Sequence, residues 1–402
     1  MKTLKTQESS DENRLETILG GWQNEGLERE LTDSRYYRLI SRVQQLIHRE
    51  IPDEVIPTNK VAAPLEVRQE NFKGINYKRA VMFLQSNGCE WALKGGHGCT
   101  MCGHLARQIR KQTTIPTKDY YRQFVSEFNA IDFKMHPLLN LYNNGSFLND
   151  REIPAGARRM ILRMIGRQPD IKMVVLETRP EFITREKIKE IKELLGDKYV
   201  ELAMGLEIKD DFMRAVCVNK GFSRRQYKAA AGIITDTLGL RTYVLLKPPF
   251  LTEKESILHA VETIKYAFEL GSDTVSLESL TVQDYTLVKF LEDRGLFKPP
   301  WLWSIIEVIR ATHHLGKLIA GLFQFFPSPI KVPYNCDRCS QAVMETLREY
   351  NHTLDIRVFQ GLTCPCQTRW GKELAAKLPP FKQRFLPIFK QLQTFARENQ
   401  GE

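Results

Sequence analysis

Apolar positions recur with helical spacing early in the chain. From about residue 78 they change to short apolar runs separated by amphipathic stretches. In SRYYRLISRVQQLIHREI, Tyr37, Leu39, Ile40, Val43, Leu46 and Ile47 share one helical face. Pro52, Pro57 and Pro64 then mark an extended linker, so residues 1–75 read as a helical extension with its linker. The runs AVMFLQ (80–85), LNLYN (139–143), MVVLE (173–177), ELAMGLE (201–207), TYVLLK (242–247) and DTVSLE (273–278) predict strands. The helices between them carry their own signals. REKIKEIKELLG lines up Ile188, Ile191, Leu194 and Leu195, and Gly196 suits the stop. Thr252 and Glu255 have capping-box spacing before Ile257, Val261, Ile264 and Phe268, and Gly271 ends that helix. Six such units predict an α/β fold with a parallel sheet covered on its outer side, either a full or a partial barrel. Chemistry in such folds gathers just past the C-terminal ends of the strands.

Composition narrows the classes further. With 42% hydrophobic residues the chain can bury a sizeable core, yet no stretch approaches the roughly 18 uncharged apolar residues of a membrane helix. The polar start MKTLKTQESSDENRLE lacks a secretory core, which predicts a cytoplasmic protein. A net charge of +10 suits a nucleic-acid partner, although many basic proteins bind none. Three basic groups could form a phosphate-binding rim or be solvated helix faces: Arg107, Arg110 and Lys111; Arg158, Arg159, Arg163 and Arg167; Lys220, Arg224, Arg225 and Lys228. The tail from Lys372 predicts one amphipathic helix, interrupted near Pro379-Pro380 and again at Pro387.

Cysteine placement is more informative. Seven of the eight cysteines form two tight groups, which in a reducing compartment points to metal ligation. The first, Cys89, Cys99 and Cys102, has the spacing Cys-x9-Cys-x2-Cys directly after the first predicted strand. Three thiolates can hold three irons of a [4Fe–4S] cluster and leave the fourth open, while Gly95, Gly96 and Gly98 let the loop wrap closely. A zinc site completed by His97 or His104 is the competing reading, and the position at the strand end favours the cluster. The second group, Cys336, Cys339, Cys364 and Cys366 in residues 331–402, reads as a closed tetrahedral zinc site or an auxiliary iron–sulfur cluster, with simple reduced thiols the third option.

CEWALKGGHGCTMC, NGSFLNDREIP, ETRPEFIT, ELAMGLE, VNKGF, YVLLKPPFLTEKE, KPPWLWS and NCDRCS carry a resemblance that runs from about residue 75 to 370. The chain resembles radical S-adenosylmethionine (SAM) enzymes of the group of the Elongator catalytic subunit, and more closely the radical SAM subunit of archaeosine synthase and its relatives. This implies a partial (β/α)6 barrel over 76–330 and reductive cleavage of SAM to a 5′-deoxyadenosyl radical at the first cysteine group, with the electron supplied by a donor such as ferredoxin or flavodoxin. It also implies that Gly145 and Ser146 meet the methionyl amino group, that Glu207 contacts the ribose and that Glu177 lies near the methionyl end. Lys247, after a strand, could bind the methionyl carboxylate or an anionic substrate. Gln283, Trp301 and Trp303 could line a substrate pocket, although both tryptophans equally suit core anchors of the following helix. The resembling family works with a transglycosylase-like partner that attaches lysine to a deazaguanine in tRNA, after which the radical subunit cleaves the lysine-derived C–N bond. Two alternatives stay open: a radical SAM enzyme acting on a small metabolite or peptide, and a zinc-binding RNA-binding or scaffold protein without radical chemistry.

Overall fold

A computed structural model of the chain describes residues 34–52, 56–94, 97–107 and 115–399. Residues 1–33 of the expected extension, together with Gly95, Gly96, Arg110 and Lys111, lie outside the described residues, as does the side chain of Arg107.

One eight-stranded sheet runs in chain order, from β1 (Ala63–Phe72) through β2 (Ile75–Phe83), β3 (Leu138–Tyr142), β4 (Met173–Glu177), β5 (Tyr199–Glu207), β6 (Gly239–Leu246) and β7 (Thr274–Ser279) to β8 (Lys317–Ala320). β1 pairs antiparallel with β2, and every later pairing is parallel. All six expected strands are present, although β2 begins at Ile75 rather than residue 80. Helices return the chain between the parallel strands: α2 (Thr117–Phe128), α3 (Ala155–Arg167), α4 (Arg185–Leu195), α5 (Arg224–Thr235), α6 (Glu253–Glu269) and α7 (Leu302–Thr312). Their signals work as the sequence implies. Thr252 and Glu255 form a reciprocal capping box, and Gly196 takes φ +60 after α4.

The sheet is curled into a half-barrel. Were it flat, β1 and β6, five positions apart in strand order, would lie about 24 Å from each other. Instead the Glu70 carboxylate of β1 accepts hydrogen bonds from Arg241 of β6 and Lys317 of β8, both at 2.7 Å. Arg79 of β2 also pairs with Glu70, and Arg241 Nε reaches Glu201 of β5 at 2.6 Å. Burial alone would raise the Glu70 carboxyl, but Arg241, Arg79 and Lys317 outweigh it and hold the group well below the usual carboxylate range.

Two strands depart from the expectation. The segment expected as linker contains β1, whose Glu70 is buried and whose Arg68 is largely covered, while Val67 is half exposed. This reversed amphipathicity, with polar residues inward, hides the strand from a hydrophobic pattern. β8 is only KLIA, too short for periodicity to register.

Around the sheet, α1 (Ser34–Arg49) buries Ile40, Val43, Leu46 and Ile47 against Phe385 and Leu392 of α10 (Phe381–Glu398). Pro387 lies inside α10, so the second expected interruption does not occur. The lost backbone hydrogen bond is offset by the burial of Phe381, Phe385 and Leu392 along the helix. After β8, α8 (Ser340–Thr353) spans the open side of the sheet between its edge strands, and α9 (Gln367–Ala375) follows. Asn351 of α8 exchanges two 2.8 Å hydrogen bonds with the backbone of Ala320, and Asn71 of β1 donates to the His352 carbonyl.

Candidate functional site

The half-barrel encloses a cavity of about 760 Å³. Cys99, Cys102, Glu177, Glu207 and Gln283 border it at the strand ends, while Glu70, Arg79 and Arg241 form its base. Cys89 lies beside them, since its thiol interacts electrostatically with Cys99.

The cysteine loop is held from several elements. Cys89 caps the short helix Glu90–Leu93, and Glu90 N donates to Glu152 Oε1 at 3.0 Å. The Gly98 carbonyl accepts from Gln44 of α1 at 2.6 Å and from Asn219 at 2.7 Å. Trp91 Nε1 donates to the Asn219 carbonyl at 2.7 Å. Thr100 bonds through its amide to Val218 and through its hydroxyl to Cys217. Gly103 N donates to Gln283 Oε1 at 2.8 Å, which places Gln283 as a brace of the loop as well as a wall of the cavity. Gln44, Glu152 and Asn219 are not singled out as site residues by the sequence, although Glu152 in NGSFLNDREIP and Asn219 in VNKGF lie in resembling stretches, because their partners are 54, 62 and 121 positions away.

The three thiols suit a cluster better than one ion. Cys102 interacts electrostatically with both Cys99 and Cys89. Yet among the described residues only the second cysteine group brings its ligand atoms within 4.8 Å of one another. A single zinc needs such convergence, because ligands at 2.3 Å on tetrahedral corners sit about 3.8 Å apart. A cubane puts each thiolate on a different iron and spreads them. His104 is engaged through Nδ1 with the Phe326 carbonyl at 2.7 Å. Burial pushes the Cys89 thiol up to about 11 and that of Cys102 to about 12, so positive charge is needed to hold thiolates here. Iron would supply it, and Arg179 and Lys220 add cationic charge close to Cys99.

Glu207 ends β5 at φ +63, and Lys220 Nζ lies 2.7 Å from its Oε1. Burial disfavours the charged form of Lys220, but Glu207 and Cys99 outweigh it and keep it protonated, so Lys220 is an internal cation rather than part of a rim. A Cβ on Gly205 would lie 2.2 Å from Glu207 Oε1, so the carboxylate fills the space that glycine leaves. Burial pushes the Glu177 carboxyl up to about 7, against a hydrogen bond from Tyr243 and the charge of Lys220, with Glu278 adding to the rise. A cavity of this volume and polarity is within the range of small-molecule sites, and its carboxylates suit the hydroxyl and ammonium groups of SAM.

Other expected residues are elsewhere. Ser146 is buried with its hydroxyl shared with Thr178 at 2.7 Å, and Gly145 leaves room for the Glu152 carboxylate; neither borders the cavity, which their neighbour Asn144 does. Lys247 is buried in an ion pair with Glu253 rather than reaching the barrel mouth. That carboxylate also accepts from Trp301 N and Ser304 Oγ. Trp301 and Trp303 do not border the barrel cavity: they pack toward the second cysteine group, with Trp303 Nε1 3.2 Å from Cys366 Sγ and Trp301 Nε1 2.9 Å from Glu373. Of the basic groups, Arg158 is buried between Asp150 and Glu190, and Arg159 also pairs with Glu190. Among the described residues no helix is long and apolar enough to cross a membrane.

A parallel half-barrel with a Cys-x9-Cys-x2-Cys loop at its first parallel strand end, facing a polar cavity, is the arrangement of the radical SAM class. Over 324 residues the chain is 31% identical to archaeosine synthase subunit beta of Methanosarcina acetivorans, covering 79% of this chain and 91% of that protein. The protein of the same name from Thermococcus kodakarensis is 28% identical across 75% of this chain and 93% of its own length. The chain belongs to the archaeosine synthase subunit beta family. No protein-family model matches it. Among solved structures, Methanocaldococcus infernus Elp3 aligns over 61% of this chain and 60% of its own, with a TM-score of 0.45 and 18% identity. Methylornithine synthase (PylB) aligns over 94% and 96%, with a TM-score of 0.45 and 13% identity. These two likenesses add nothing to the assignment.

Proposed function

We propose that the chain is a radical SAM enzyme of archaeosine-type tRNA modification, with Cys89, Cys99 and Cys102 holding a [4Fe–4S] cluster. The observation that carries this reading is the cysteine loop, braced at five points over a cavity lined with carboxylates, in a chain that matches archaeosine synthase subunit beta over most of its length. With a cluster held by Cys89, Cys99 and Cys102, the chemistry supplied there would be one-electron reduction of the SAM sulfonium, releasing methionine and a 5′-deoxyadenosyl radical. Glu207 accepts the ribose hydroxyls, and Lys220 fixes its orientation. Glu177 accepts the methionyl ammonium, and Asn144 borders the same space. Gln44, Asn219 and Gln283 hold the loop carbonyls and amide, so the thiols keep their spacing when the cluster changes charge. The substrate whose hydrogen that radical would take is a lysine–deazaguanine adduct in tRNA, and the overall reaction would be cleavage of its lysine-derived C–N bond. A transglycosylase-like partner supplies that adduct, and a ferredoxin or flavodoxin supplies the electron.

The test is anaerobic reconstitution followed by dithionite and SAM, with 5′-deoxyadenosine measured by chromatography in the parent and in Cys99→Ala. Product in the parent and none in the variant supports the reading; tRNA carrying the lysine adduct should then be converted. A reconstituted protein that binds zinc but no iron at the first group overturns it.

A further inference from the structure

We infer that Cys336, Cys339, Cys364 and Cys366 hold one zinc ion, and that this ion fixes the helix closing the open side of the half-barrel. All four sulfurs lie within 4.8 Å of one another, with Cys336–Cys339, Cys336–Cys364 and Cys339–Cys366 separations of 3.5, 3.6 and 3.5 Å. Four thiolates around one zinc at 2.3 Å would sit about 3.8 Å apart, so these sulfurs need move only slightly to receive the ion. A cubane cluster, with each sulfur on its own iron, would have to spread them. A closed set of four thiolates is the donor set of structural zinc and leaves no position open for catalysis.

The surroundings suit the charge. One zinc with four thiolates carries net charge −2, the thiol protons leaving to solvent. Cys339 and Cys366 are the N-cap residues of α8 and α9, so the anionic centre sits at two helix N-termini. Trp303 Nε1 donates to Cys366 Sγ at 3.2 Å, and the amides of Ser340 and Gln367 turn back onto the Cys336 and Cys364 carbonyls at 3.0 and 2.9 Å.

The position of the ion gives it a second consequence. The fourteen residues of α8 extend about 21 Å from the cysteine knuckle to the seam between β8 and β1. At the far end Asn351 completes the backbone pairing of Ala320 on the free edge of β8, Tyr350 donates to the Leu318 carbonyl at 3.0 Å, and Asn71 of β1 donates to His352. Arg348, Asn351 and His352 border the cavity. The ion therefore holds one end of the element whose other end walls the cavity, at the place where the sheet does not close on itself.

Metal content of the full chain, purified without added metal and with its first cluster loaded, tests the first half. One zinc per chain, lost in Cys364→Ser with iron unchanged, is expected. Zinc absent, or iron beyond the first cluster that disappears in Cys364→Ser, overturns the zinc assignment. Should Cys364→Ser not fold, Cys364→His offers another zinc donor and should retain the ion. Hydrogen exchange tests the second half. Withdrawing zinc from the parent chain with a thiol-reactive mercurial and a chelator should speed amide exchange in 317–320 and 340–353, with β3 to β5 unchanged. Asn351→Leu, which should keep its zinc, should speed exchange at 317–320 by about five- to ten-fold. Unchanged exchange in these segments after zinc leaves overturns the seam role.

Discussion

Replacing Glu70 by Gln keeps the shape of the side chain and deletes its charge. In the folded chain Glu70 is 5% exposed and sits between Arg79, Arg241 and Lys317, with Glu201 the other acid of the network. At an effective dielectric near 20, unit charges 2.7 Å apart attract by about 6 kcal/mol, and Glu70 makes two such pairs. The variant does not lose that full sum, because the amide oxygen still accepts one hydrogen bond and the cost of burying the carboxylate disappears. It does leave three cations facing one acid. Breaking a buried network in this way costs about 3–5 kcal/mol, a large share of the roughly 5–15 kcal/mol that holds a domain folded. Urea denaturation at pH 7 should show that loss. The pH dependence provides a second check. The folded carboxyl titrates below its ordinary 4.5, so its contribution is complete above about 4.5 and lost as pH falls toward the folded value. The parent should weaken between pH 5 and 3, and Glu70→Gln should weaken less over that interval. A loss under about 1 kcal/mol, or an unchanged acid limb, would refute the claim that this network holds β1 across the barrel.

Two further perturbations probe the cavity. The Glu177 carboxyl titrates near 7, so its ionised form is costly in the fold: its contribution to stability is complete below about 4.5 and lost as pH rises through 7. Glu177→Gln should therefore be more stable than the parent at pH 8 by urea midpoint, while parent 5′-deoxyadenosine formation should fall as pH drops below 7 and the variant should show no such step. Gly205→Ala puts a methyl 2.2 Å from Glu207 Oε1 and 2.7 Å from Lys220 Nζ, which must displace the carboxylate. The KM for SAM should rise about ten-fold or more with a smaller change in kcat, in keeping with one charged hydrogen bond.

The six inner strands are legible because the apolar runs that mark them are almost wholly buried on both faces; Met173–Glu177 is the clearest case. β1 is not, because its inward residues are charged and their partners lie on β2, β6 and β8. The cysteine loop is visible from spacing, but its braces are not: no motif marks Gln44, and VNKGF marks Asn219 without its partner, because both roles depend on where α1 and the loop after β5 come to rest. Lys247 misleads for the opposite reason. A lysine after a strand suggests a reach into the mouth, whereas Glu253 at the start of α6 takes its charge. Trp301 and Trp303 have aromatic faces that suit bases, yet their indole N–H groups are spent on Glu373 and Cys366.

The strand order of the sheet has a consequence for how the chain is made. Every strand pairs only with its neighbours in sequence, so β1 through β7 can add one at a time as they leave the ribosome, each closing a short loop. The charged base and the seam do not share that property. Glu70 must wait for Arg241 and Lys317, while Asn71 and Ala320 must wait for α8. The growing half-barrel therefore carries a buried carboxylate with Arg79 as its early partner until Arg241 and Lys317 emerge, and an open β-edge until residues near 350 follow. During that interval the chain presents an uncovered β-edge on which another strand could pair.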